Sequence, residues 1–130
     1  MRSTAIEVAL RLGISATLAV SGIIHADLYI HGYRHIPTIG SAFLLQASVF
    51  GALAVLILAG APEWFRWAGA VLSVGTLTAF ALSRTTGLFG FTERGWEPSP
   101  QAAIGAITEA LTVVLVGASV VSSRSKTLAM

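Results

Sequence analysis

The chain has 130 residues, 55% of them hydrophobic and only 11% charged, with a formal net charge of +2. A soluble domain carries about 25% charged residues, so this surface suits lipid better than water, and its scattered arginines leave no nucleic-acid footprint. The absence of cysteine excludes disulfides, thiolate metal sites and thiol catalysis.

A membrane-spanning helix needs about 20 mainly apolar residues at 1.5 Å rise each. Four segments qualify, at residues 5–30, 41–59, 67–83 and 102–122. The expected fold is therefore a single-domain, all-α bundle of four transmembrane helices, with a longer interfacial loop between the third and the fourth. The first segment reads as a retained helix and not a signal peptide: its apolar run, residues 12–30, exceeds the roughly 7–15 residues of a signal-peptide core. Glu7 and Arg11 are four apart and can pair at the membrane edge. Gly32 and Pro37 end or kink this helix.

Thr38 or Ser41 suits the N-cap of the second segment, and Gly60-Ala61-Pro62 stops it. Glu63, Trp64, Arg66 and Trp67 read as a short interfacial turn, the level tryptophan prefers. The third segment closes at Arg84. The connection from Thr85 to Gln101 follows, and its Leu88, Phe89, Phe91 and Trp96 suit a loop lying on the interface or folded over the bundle. The last segment ends in a short polar tail with Arg124 and Lys126. Small residues recur four apart on all four segments, as at Gly13, Thr17 and Ser21 or Ala102, Ala106 and Ala110. Such rows let helices approach closely in lipid.

Four spans put both termini on one side. That side holds Arg2, Arg11, Arg66, Arg124 and Lys126; the other holds Arg34, Arg84 and Arg94. By the positive-inside rule the termini are expected in the cytoplasm, in a multi-pass protein of the cell membrane. The partners this implies are the lipid bilayer and a larger membrane complex or a second copy of the chain.

The stretch from His25 to Ile39 carries all three histidines, Asp27, both tyrosines and Arg34. Counted inward from the segment edges, His25, Gln46, Thr78 and Glu109 lie five to seven residues deep, or roughly 7–11 Å. Each helix thus offers one polar group near one level, and these four form the expected ligand-binding layer. An ionisable residue within a span is costly in lipid and faces a partner, which singles out Glu109 and His25 as an expected pair. His25, His31, His35 and Glu109 are acceptable first-row metal ligands, although H-x5-H-x3-H is no established metal motif. Only His25 lies well within a span, so bis-His haem ligation is not expected. Asp27 is placed to pair with Arg34 or Arg84. Glu93 and Glu97 flank Arg94 in the long loop, where carboxylates are ordinarily solvated.

The stretches GYRHIPTIGSAFLLQASV and SRTTGLFGFTERGW, with a glutamate in the last helix, resemble a group of small four-helix membrane proteins of actinobacterial type. Size and span count are also similar to the broad DoxX-like group. The first resemblance implies the four-helix fold and no particular activity, and the second is one of architecture, which does not give function. The functional expectation is a small accessory subunit or binding module, with an outer-leaflet polar pocket for a ligand, metal or proton. The alternative is a membrane-embedded enzyme or redox component using His25 and Glu109.

Overall fold

The computed structural model describes residues 2–129. It contains α1 (Arg2–Ile30), a single 3₁₀ turn (Tyr33–His35), α2 (Ile39–Leu58), α3 (Trp64–Ser83) and α4 (Gln101–Ala129). All four helices are long and apolar enough to cross a membrane, so the chain is an all-α four-helix bundle compatible with a multi-pass membrane protein.

Neighbouring helices run antiparallel, as the cross-links between them show. Ser15 on α1 donates to the Ala54 carbonyl on α2 at 2.6 Å, while His25, further along α1, meets the earlier Phe43 of α2 with ring centroids 4.9 Å apart. Thr17 and Thr112 join α1 to α4 at 2.7 Å, and one turn on, Ser21 reaches Glu109. The helix α1 packs along both α2 and α4, and α4 along α3, whereas α2 and α3 meet only sparsely. The bundle is closed on three sides and loose on the fourth.

The apolar core fills one half of its height. It joins Ile14 and Leu18 of α1, Phe50, Leu53, Ala54 and Ile57 of α2, Ala70 of α3 and Val116 of α4. These residues lie toward the end that holds the chain termini. Glycine permits the close contacts there: a Cβ on Gly69 would stand 3.1 Å from the Leu18 side chain. The outward faces carry exposed apolar residues such as Ile23, Leu45, Val55, Val74 and Val114, as a lipid-facing surface requires.

The helix ends correct several expectations. Residues 64–67 form the first turn of α3 instead of a separate interfacial turn, and the expected polar tail continues α4 to Ala129. Thr38 occupies the N-cap of α2, but its hydroxyl makes no capping bond and its φ is 68°. Glu7 does not pair with Arg11. It engages Arg66, which is 8% exposed and donates to Ser119 at 2.7 Å and to both Glu7 carboxylate oxygens. This clamp ties α1, α3 and α4 at the terminal end. The side chains of Arg2 and Lys126, which enter the count of basic residues, lie outside the described residues.

The long connection is folded against the opposite end of the bundle. A tight turn pairs Leu88 with Phe91 through two backbone hydrogen bonds of 2.8 and 2.9 Å. The backbone N–H of Glu93 donates to the Ser83 carbonyl at 2.9 Å, and Arg84 donates to the carbonyls of Gly95 and Glu97 while lying over the Phe80 ring. Tyr33 donates to Glu93 at 3.0 Å. Of the four apolar residues expected on this interface, Leu88 and Phe91 turn inward and Phe89 and Trp96 stay exposed.

Candidate functional site: a cavity with a polar inner end

The half of the bundle beyond the core is hollow. A cavity of about 470 Å³ lies where α2 and α3 diverge, and all four helices line it. On α3 its lining runs from Val71 to Ser83, roughly 18 Å along the helix axis. Most of the wall is apolar: Ile24, Leu28, Ile39, Leu72, Ala79 and Ala106 are typical. Leu88 and Phe91 of the long loop close its upper end, and His25, Gln46 and Glu109 stand at its inner end.

The sequence gathers these three by helical register. Ser21 and His25 are four apart on the α1 face turned to α4, and Gly105, four residues before Glu109, presents no side chain there: a Cβ on it would meet only Ile24, at 3.7 Å. Glu109 is 2% exposed. Its Oε1 accepts from the Ser21 hydroxyl at 3.2 Å and from the Gln46 amide at 3.4 Å. The His25 ring places Nδ1 2.8 Å from the Ser21 carbonyl oxygen. A carbonyl can only accept, so Nδ1 carries the proton and Nε2 of the neutral ring is left as an acceptor. Nε2 stands 3.9 Å from Glu109 Oε1, too far for a direct hydrogen bond. Among the described residues, neither His25 Nε2 nor Glu109 Oε2 has a hydrogen-bond partner.

Aromatic rings support the same end. Phe43 meets His25 edge-on and stacks on Tyr33 at 5.0 Å with an interplanar angle of 8°, and Tyr33 meets Phe91 edge-on at 5.9 Å. Gly40 permits this arrangement, because a Cβ on it would stand 2.7 Å from the Tyr33 carbonyl and 2.8 Å from Arg34 Cα. Burial, and then the Glu93 carboxylate, push the Tyr33 phenol well above its ordinary range.

Of the expected layer, His25, Gln46 and Glu109 are together and Thr78 is not. Thr78 faces outward, exposed, and its hydroxyl bonds back to the Val74 carbonyl at 2.8 Å. Ser21 takes the place expected for it. The expected metal set does not assemble either. His31 and His35 are exposed beyond the end of α1, and among the described residues no three His, Cys, Asp or Glu side chains come together as a metal would need. Asp27 pairs with His31 at 3.1 Å, not with Arg34 or Arg84.

A second polar cavity, of about 240 Å³, lies at the terminal end between Glu7, Arg11, Gly60, Glu63, Arg66 and Ser119. Sequence reasoning left Arg66 at the surface. Its register with Gly69 and Ser73, three and seven residues on, marks it as sharing their inward face.

No protein-family model, curated protein or solved structure matches the chain. Its class therefore rests on the fold: an all-α bundle of four helices able to span a membrane.

Proposed function

We propose that this chain is a small membrane-embedded binding module, whose side cavity takes a lipophilic ligand carrying one polar group. The observation that supports this reading is the coincidence of an apolar cavity, loose on the side between α2 and α3, with polar atoms of His25 and Glu109 at its inner end that have no partner among the described residues. Ligand pockets are mainly apolar with a few placed polar groups, and about 300–1,000 Å³ in volume. Entry from the bilayer between two barely touching helices needs no water-filled channel.

On this reading the chain acts as an accessory subunit that holds or presents its ligand, with the termini in the cytoplasm and the cavity toward the outer leaflet. A second reading, a redox or proton-transferring component, draws on the same pair: two groups able to hold a proton, 3.9 Å apart, face one cavity. An absorption band or a stoichiometric metal in the purified protein favours that second reading.

Gly75 provides the test. It lines the cavity, and a Cβ there would meet nothing within 4 Å. Gly75→Leu should fill space without disturbing the helix. Protein purified in mild detergent is extracted and its bound lipophiles are identified by mass spectrometry. The unmodified chain should retain a species enriched over bulk lipid, and the variant should lose it while keeping its helical circular dichroism. Equal retention by both would refute the reading.

A further inference from the structure

We propose that the ligand is a lipophilic amine, whose ammonium N–H groups are shared between His25 Nε2 and the Glu109 carboxylate; this rests on the binding-module reading above. Both atoms facing the cavity from this pair are acceptors. His25 has committed its one ring proton to the Ser21 carbonyl. Glu109 Oε1 already takes two neutral donors, and its second oxygen has none among the described residues. A hydroxyl brings one proton and leaves one acceptor bare, whereas a primary ammonium brings three.

Charge points the same way. A buried carboxylate is costly unless a cation pairs with it. Arg84, the arginine that lines the cavity, is spent at its mouth. Its Nε donates to Gly95, Nη1 to Ser83 at 2.7 Å and Nη2 to Glu97, and its plane lies over Phe80. Among the described residues no Lys or Arg contacts Glu109, and the neutral His25 ring approaches it at 3.9 Å. On this proposal the ligand's ammonium supplies the cation.

The spacing accommodates it. His25 Nε2 stands 3.9 Å from the Glu109 carboxylate at its Oε1, close enough for one nitrogen at about 2.8–2.9 Å from each group to reach both the ring and the carboxylate. Phe43 lies beside His25 and lines the cavity, and an aromatic ring next to an ammonium adds attraction. The apolar wall requires the rest of the ligand to be hydrocarbon or aromatic.

The experiment uses the full chain in nanodiscs and three probes that share one naphthylmethyl body: naphthylmethylamine, naphthylmethanol and the bulkier trimethylammonium analogue, which is charged but has no N–H. Isothermal titration should show the amine binding at least about tenfold tighter than either other probe. Glu109→Gln should weaken the amine at least about tenfold and move the alcohol less than about twofold. The comparison on the unmodified chain decides even where the variant fails to fold. Alcohol binding equal to or tighter than amine binding would overturn the amine assignment while leaving the binding module standing. Failure of all three probes would overturn it too, and the binding module then stands or falls on the Gly75→Leu retention test.

Discussion

Replacing Glu109 separates its hydrogen-bonding role from its charge. In Glu109→Leu, the Ser21 hydroxyl, itself 0% exposed, and the Gln46 amide both lose their acceptor. Hydrogen bonds between membrane helices average about 0.6 kcal/mol and reach about 1.7. Two losses therefore cost about 1–3 kcal/mol, or up to about a hundredfold in the folded-to-unfolded ratio. Glu109→Gln keeps a carbonyl oxygen where Oε1 stands and should cost less than about 1 kcal/mol. His25→Gln gives up mainly a bond to a carbonyl of its own helix, so it should also cost less than Glu109→Leu. Unfolding in mixed micelles of rising dodecyl sulfate fraction, followed by the fluorescence of the three tryptophans, measures all three variants. If Glu109→Leu is within about 0.5 kcal/mol of the unmodified chain, below the average for even one such bond, the polar contacts between α1, α2 and α4 do not hold the bundle and the reasoning fails.

Tyr33→Phe removes the tie between the 3₁₀ turn and the long loop, so tryptic cleavage after Arg94 should quicken about ten- to a hundredfold, as expected for one hydrogen bond to a charged acceptor; an unchanged rate would show the loop is held elsewhere. Because the fold favours the protonated phenol, this contribution is complete below pH about 10 and is lost as the pH climbs through the raised value, so in a Tyr29→Phe background phenolate absorbance should emerge only in strong alkali. Gly40→Ala should lower stability by about 1–3 kcal/mol through overpacking against backbone, and thermal unfolding of this variant beside Gly75→Ala, which meets open space, should show opposite shifts. For orientation, single cysteines at Ser3 and Ser99 are treated with an impermeant reagent on intact cells: position 99 should label and position 3 should not, and the reverse pattern would invert the topology.

The spans were legible because hydrocarbon thickness sets a length that composition alone reveals, and the helix limits moved by no more than three residues except at the C-terminal end of α4. Depth was equally legible: His25, Gln46 and Glu109 share a level because rise per residue is constant. Rotation about the helix axis was where the reading of Thr78 failed. Thr78 is five residues beyond the buried Ser73, which at about 100° per residue is roughly 140° round the helix, on the outer face. The inward row Arg66, Gly69 and Ser73 held that information. Ion pairing was read from neighbours in sequence, but Glu7 answers to an arginine 59 positions away, and no local pattern encodes such a partner.

The seam between α1 and α4 has a consequence for how the chain is made. Thr17 and Ser21 find their partners 95 and 88 residues later, so at about 5–20 residues per second α1 waits roughly 5–20 s in the bilayer before α4 is synthesised. Over that interval it depends on bonds within its own turns. Thr17 donates to the Ile14 carbonyl at 3.0 Å, and His25 to that of Ser21. A chain ending before residue 101 would leave a three-helix product whose Thr17 and Ser21 hydroxyls lack the partners that α4 supplies.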